Sequence, residues 1–293
     1  MSLHSAIALA ITQATGDFFQ PEHWRGVSGG DINSAAVMEG GGRRYFVKSN
    51  DVTRLAMFEA ESEGLAEITG TKSVRVPQPV CLGTHGDQAY LVLEYLDISH
   101  SSAKSDALLG RQLASMHRNT TNKFGWQRDN TIGSTLQINT VEHDWVTFYR
   151  EHRLRFQLVL AEKNGYGINL MRLGERLLEN LPAFFANYKP QPSLLHGDLW
   201  GGNHAALQDG APVIFDPAIY YGDRETDLAM TELFGGYSAD FYDAYREAWP
   251  LDTGYRVRRD LYNLYHLLNH LNLFGSGYCD QAQRLIERLL SET

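Results

Sequence analysis

Asp198, Asn203 and Asp216 are the residues of this chain whose types and spacing suit chemistry. Asn203 follows Asp198 across a turn that holds Gly201 and Gly202, and Asp216 closes the apolar run Val213-Ile214-Phe215. One carboxylate to accept a proton, then an amide oxygen and a second carboxylate to hold a hard cation, is what keeps Mg2+ against phosphates while a hydroxyl is activated. The chemistry implied is phosphoryl transfer. Residues 193–195 and 213–215 read as short buried strands, each delivering one of the carboxylates at its C-terminal end.

The elements that must face this site lie in the first third of the chain. After an N-terminal helix, residues 24–49 read as three antiparallel strands joined by glycine turns. The turn holding Gly29 and Gly30 would let backbone N–H groups approach phosphate oxygens, because glycine lacks the Cβ that blocks approach. Read alone, a Gly-Gly pair between strands is only a turn, and Lys48 is an ordinary strand lysine. The helix predicted over 55–68 changes the weighting for Lys48. Its apolar stripe is Leu55, Phe58, Leu65 and Ile68; Glu61 falls inside that stripe, while Glu59 and Glu63 point away. An inward glutamate needs a partner, and Lys48 is the candidate; such a pair would hold an ammonium where nucleotide phosphates bind. The competing reading has Glu61 snorkelling at the helix edge. Residues 88–96 form a strongly apolar strand, so Glu94, Tyr95 and Leu96 would offer backbone groups to an adenine edge as the chain passes into a second region.

Composition narrows the partners. The chain has 293 residues, 43% of them hydrophobic, with 35 acidic against 26 basic residues and a formal charge of −9. That length supports one large domain or two lobes with a proper core. An acidic balance without a long Lys/Arg run argues against nucleic acid or an anionic membrane surface and favours a small molecule. Cys81 and Cys279 are too far apart in sequence to suggest a zinc site or a disulfide framework. Neither a secretory signal pattern nor a long apolar run stands out, so a cytoplasmic protein is expected.

Beyond residue 96 the periodicity becomes mainly helical, with helices predicted over 107–117, 144–162, 168–181, 227–234, 241–249, 257–274 and 281–290. Residues 119–139 read as an irregular polar stretch. The expectation is an α+β fold of two lobes: a small lobe over 1–96, with an antiparallel sheet and one packed helix, and a mainly helical lobe over 97–293 that carries the 198–216 site. Asp227 at a helix start reads as a cap or a brace for the loop, and His196 as a residue that orients it. Trp200 is suited to stack on a sugar or to pack under its loop. His270 lies on an apolar helix, where most histidines are core residues.

These elements, in this order, resemble the protein-kinase-like superfamily. More narrowly, HGDLWGGN (196–203), DPAIYYGDRETDLAM (216–230), LFGG (233–236) and LYHLLNHLNLFG (264–275) resemble the fructosamine kinase, or ketosamine 3-kinase, family over roughly residues 24–278. The resemblance implies Mg-dependent use of ATP to phosphorylate the 3-hydroxyl of a ketosamine, free or on a glycated lysine, as in deglycation repair. It implies Asp198 as proton acceptor, Asn203 and Asp216 as Mg2+ ligands, Lys48 paired with Glu61 on the phosphates, residues 94–96 around adenine, and His270 as a substrate contact. Asp31 stands where some members carry cysteine, so no thiol switch is carried over. Three other readings stay open: an aminoglycoside or choline phosphotransferase of the same fold, a nucleotide-binding pseudokinase, and a metal-dependent hydrolase. The pseudokinase is disfavoured because Lys48, Asp198, Asn203 and Asp216 are all present. The hydrolase leaves Lys48 and Glu61 without a role.

Overall fold

The computed structural model describes residues 1–27 and 32–293, so Gly29, Gly30 and the neighbouring Asp31 lie outside the described residues. Helix α1 (Leu3–Thr15) is capped by Ser2, whose side chain accepts from the Ser5 N–H, and is stopped by Gly16 in the left-handed region. Strands β1 (His23–Val27), β2 (Ser34–Gly40), β3 (Arg43–Asp51), β4 (Pro79–His85) and β5 (Gln88–Glu94) form an antiparallel sheet in the order β1-β2-β3-β5-β4, with helix α2 (Leu55–Gly70) between β3 and β4 in the chain.

Both faces of this sheet are covered, which is why β5 reads as a continuous apolar run instead of alternating. Tyr90 and Val92 join Tyr45 and Val47 against Ile7 and Ile11 of α1. Ala89, Leu91 and Leu93 share a core with Phe58, Leu65 and Ile68 of α2. Because successive strand residues point to opposite faces, Lys48, next to Val47 and paired in register with Leu91, falls on the α2 side. Strand β4 is the element that the two prolines concealed: Pro77 and Pro79 mark a turn, yet Pro79 opens an edge strand, a position where its missing N–H is tolerated.

The chain then leaves the sheet. Strand β6 (Ile98–Ser99) pairs with β10 (His204–Leu207), which pairs with β11 (Pro212–Ile214). Helix α3 (Ala103–His117) starts four residues before the apolar spacing suggested, because Ser102 and Ser105 form a reciprocal capping box. The stretch 119–139 is less irregular than expected and contains a hairpin, β7 (Asn130–Ile132) with β8 (Thr135–Gln137). The long helix predicted over 144–162 is α4 (Trp145–Tyr149) and α5 (Phe156–Lys163) joined through a π-helical turn, Arg150–Arg155, in which Arg153 is fully buried against Phe148 and Tyr220. After α6 (Ile168–Asn180) comes β9 (Ser193–Leu195), paired with β12 (Tyr220–Gly222).

Helices α7 (Glu225–Leu233), α8 (Ala239–Ala248), α9 (Tyr255–Phe274) and α10 (Cys279–Leu290) complete the larger, helical part. Gly110 of α3 meets α8 so closely that a Cβ there would lie 2.3 Å from the Phe241 carbonyl oxygen. Helix α9 is buried through its middle, residues 261–269, and Arg258 near its start makes a bidentate pair with buried Glu225 (2.7 and 3.0 Å). Among the described residues no helix is long and apolar enough to cross a membrane.

Candidate active site

A cleft of about 800 Å³ opens between the α2 side of the sheet and the helical part. Lys48, Glu61, Asp198, Asn203 and Asp216 all line it, together with Trp200 and His270. Lys48 Nζ donates to Glu61 Oε1 at 2.5 Å and to Asp216 Oδ1 at 2.6 Å. Burial works against its charge, but the fields of Asp216 and Glu61 outweigh that penalty and raise its pKa, so Lys48 is a fixed cation. The inward position of Glu61, ambiguous between pairing and snorkelling in the sequence, is a paired one.

The 196–203 loop is held by its backbone and its histidine. The N–H groups of His196 and Gly197 donate to the two carboxylate oxygens of buried Asp227 (2.7 and 2.8 Å), which also accepts from His117 Nε2 at 3.1 Å. Burial alone would raise the Asp227 pKa, but these bonds and the histidines lower it. His196 Nε2 donates to the Phe215 carbonyl (3.0 Å) and its Nδ1 accepts from the Asp198 N–H (3.3 Å), which ties the loop to the segment ending at Asp216. Burial lowers the His196 pKa, in keeping with that neutral tautomer. Only glycine fits at 197: its φ is +83° and a Cβ would lie 2.0 Å from the Ala218 oxygen. Burial, with Asp216 nearby, pushes the Asp198 carboxyl up to about 7.

The remaining donors are oxygen atoms. Asn203 Nδ2 donates to the main-chain oxygen (2.8 Å) and to Oδ2 (3.3 Å) of Asp198, so its amide oxygen is left for another partner. Asp216 sits at φ +58°, a left-handed conformation that costs a non-glycine residue roughly 1–3 kcal/mol and that clusters at functional sites. Its side chain is half-exposed, with one oxygen on Lys48 and the second left over. Among the described residues no three His, Cys, Asp or Glu side chains gather into a metal-binding group. One carboxylate and one amide oxygen would fit Mg2+, which draws much of its shell from water and phosphates.

The other end of the cleft is aromatic. His270 lies among Phe234, Phe274 and Tyr278, with ring centroids 4.7, 5.3 and 5.4 Å away. Its Nδ1–H donates to the His266 carbonyl at 2.8 Å, and burial lowers its pKa, so neutral His270 keeps Nε2 as an acceptor. Trp200 is 40% exposed; its indole lies over Gly202, where a Cβ would come within 2.3 Å, and Tyr237 donates to its carbonyl. It therefore both packs on its own turn and shows surface to the cleft. Phe234, Phe274, Tyr278, Asn269 and the tip of the β7–β8 hairpin were not singled out from sequence. The available signal was Phe274, one helical turn beyond His270; Tyr278 follows the break at Gly275 and carries no such spacing.

Glu94 ends β5, Tyr95 and Leu96 follow it, and none of the three lines this cleft. The Glu94 N–H is spent on the Gln78 carbonyl (2.9 Å) and its side chain pairs with Arg75. Tyr95 is covered by the Arg44 guanidinium at 4.3 Å, which also pairs with Asp97.

Comparison with known proteins adds a lineage to this geometry. The family model for fructosamine kinase matches residues 3–292. A probable ketoamine kinase of Synechocystis sp. is 45% identical over 285 residues, covering 97% of this chain and 96% of that protein. The chloroplastic protein-ribulosamine 3-kinase of Arabidopsis thaliana is 45% identical over 270 residues, covering 90% and 81%. A solved structure assigned as a fructosamine-3-kinase of Haemophilus somnus superposes with a TM-score of 0.89 at 29% identity, over 97% of this chain and 96% of that one. An aminoglycoside phosphotransferase solved with streptomycin and ATP shares the fold at 14% identity, with a TM-score of 0.64 over 99% and 97% of the two chains.

Proposed function

Because this chain belongs to the fructosamine kinase family, we propose that it transfers the γ-phosphoryl group of ATP to the 3-hydroxyl of a ketosamine, with the site roles set out below. The enzyme is an ATP-dependent kinase with a protein-kinase-like fold of two lobes, and it acts on a ketosamine. We divide the lobes at residues 96 and 97; the exit of the chain from the sheet after Glu94 and the pairing of Ile98–Ser99 with β10 support that division. Mg2+ as the cation, the cytoplasm as the compartment, and glycated lysine as a form of the acceptor are parts of the same reading.

The observation that carries the role assignment is the position of Lys48, bridging Glu61 and Asp216 in the cleft that also holds Asp198 and Asn203. In this reading Lys48 neutralises phosphate charge and Glu61 fixes its direction. Asn203 and Asp216 supply oxygens to Mg2+, which screens the phosphates when bound. Asp198 accepts the hydroxyl proton as the acceptor oxygen attacks. Burial raises the Asp198 carboxyl above the ordinary carboxylate range, which makes it a better proton acceptor than an ordinary one. Phosphoryl transfer has a loose transition state, so positioning and charge neutralisation do most of the work. With the Glu94 N–H engaged and Glu94, Tyr95 and Leu96 outside the lining of the cleft, the adenine contact expected at 94–96 is not part of this reading. Trp200 and His270 face the acceptor: the indole offers a stacking surface, and Nε2 accepts from a hydroxyl or the ketosamine nitrogen.

The test is ATP consumption with Mg2+ across ribulosyl-lysine, fructosyl-lysine, an aminoglycoside, choline and no acceptor, with the product's phosphate located by NMR. Ketosamine-dependent turnover with phosphate on O3 is expected. Turnover on the aminoglycoside or choline alone would replace the acceptor while leaving the site roles, and ATP binding without turnover on any acceptor would favour a pseudokinase.

A further inference from the structure

Helix α2 presents its inner face to Lys48 through Glu61, and its outer face is not simply solvated. Glu59, Glu63 and Glu67, spaced one turn apart, all meet the stretch that leads into the β7–β8 hairpin or strand β12. Arg128 forks across two of them, with Nη1 on Glu63 at 2.6 Å and Nη2 on Glu59 at 3.0 Å, and also donates to the Ala56 carbonyl at 3.3 Å. Gln127 adds a bond to Glu63 (3.2 Å). Glu67 accepts two neutral donors, Trp126 Nε1 at 2.7 Å and the Tyr221 hydroxyl at 2.8 Å. At the same height Gly64 packs on Ile219, where a Cβ would lie 3.3 Å from that side chain.

A single exposed ion pair holds little, but these contacts end on one set of paired backbone segments. Gly125 and Tyr221 exchange two backbone hydrogen bonds at 2.9 Å. Tyr221 pairs in register with Leu194 of β9, and β9 runs directly into His196 and Asp198. A continuous path of paired backbone and short polar contacts therefore joins the Asp198 loop to α2, and through Glu61 to Lys48.

We propose that Arg128, Trp126 and Tyr221 are positioning residues that latch α2 to the strand pair carrying Asp198, so that Lys48 and Glu61 are held in register with the catalytic loop before nucleotide arrives. The inference rests on the reading of Lys48 and Glu61 as the phosphate site. It assigns a task to the outward glutamates, which sequence spacing alone leaves as surface charge.

The experiment combines Arg128→Ala with Tyr221→Phe, two changes that remove latch bonds and leave the apolar contacts in place. Hydrogen exchange of the α2 amides should quicken roughly tenfold, and kcat on a ketosamine should fall roughly tenfold with the acceptor KM unchanged, since small misplacements of reacting groups are costly. Arg128→Lys, which keeps the charge but loses the fork, should fall between. In a Glu61→Gln background the same two changes should lower kcat by less than about twofold, because the path they act through is already cut. Unchanged α2 exchange, or an equally large kcat loss with Glu61 replaced, would overturn the latch. A parent enzyme inactive on every ketosamine would instead refute the proposed acceptor, and the exchange measurement, which needs no acceptor, would still decide the latch.

Discussion

At one end of the cleft, charged and polar bonds hold Lys48 to Glu61 and Asp216, and Asn203 to Asp198. At the other, Phe234, His270, Phe274 and Tyr278 touch through ring faces and edges, with Phe274 half-exposed. The charged end has little tolerance, because each buried charge depends on a partner whose loss leaves it uncompensated. The aromatic end offers area and one acceptor nitrogen, a surface that adapts to the part of a substrate that varies. A kinase whose chemistry is constant and whose acceptors differ would divide its cleft in this way. Substitutions should therefore separate the two ends kinetically, turnover and nucleotide at one, acceptor affinity at the other.

The largest separation is expected from Asp198→Asn. Removing the proton acceptor should lower kcat by about 10²–10⁴-fold while ATP affinity, measured by calorimetry, stays near that of the parent. Asp216→Asn should lower kcat too, but should also weaken ATP binding in the presence of Mg2+ and blunt the response to added Mg2+. Parent-like turnover in Asp198→Asn would remove the assigned base, and equal ATP affinity in both variants would erase the distinction between base and cation ligand.

A smaller effect belongs to the aromatic end. Phe274→Ala and His270→Ala should each raise the acceptor KM by roughly tenfold with kcat and the ATP KM little changed, the signature of lost ground-state binding. Steady-state kinetics with either substrate varied reads this directly. An increase in the ATP KM alone would place these rings on the nucleotide side and break the comparison.

The two ends also differed in how far the sequence disclosed them. Asp198, Asn203 and Asp216 sit close together between short apolar runs, and Glu61 stood out because a charge inside an apolar helical stripe demands a partner. Local spacing carried that information. The strands around residues 24–49, the α2 helix and most of the later helices followed from periodicity for the same reason. The aromatic end draws on α7, α9 and the residues after α9, which only tertiary packing brings together, and single aromatic residues on buried helices look alike in sequence. Strand β4 was hidden by its opening proline. The β7–β8 hairpin was hidden by polar residues whose partners lie elsewhere, as Asn130 does in donating to the Ile219 carbonyl. Glu59 and Glu63 were legible in direction but not in purpose, since Arg128 lies far from them in sequence.

The smallest effect near neutral pH tests the support behind the aromatic end. His266, whose carbonyl holds His270, is itself buried, and its Nδ1 has no hydrogen-bond partner among the described residues. Burial pushes its pKa down to about 3, with the neighbouring His270 adding to the shift. In the unfolded chain the same imidazole titrates near ~6.5. Between those values the unfolded state binds a proton that the folded state refuses, so stability falls as pH drops, by at most about 1.4 kcal/mol per pH unit. His117 and His196, also lowered chiefly by burial, act in the same direction. His266→Leu should leave Tm near pH 7.5 almost unchanged, because it replaces a neutral buried ring with an apolar side chain, and should flatten the decline of Tm between pH 6.5 and pH 5 relative to the parent. Parallel declines in the two proteins would mean that His266 is not the group being charged on unfolding, and would assign the acid sensitivity to the histidines around Asp227 at the charged end.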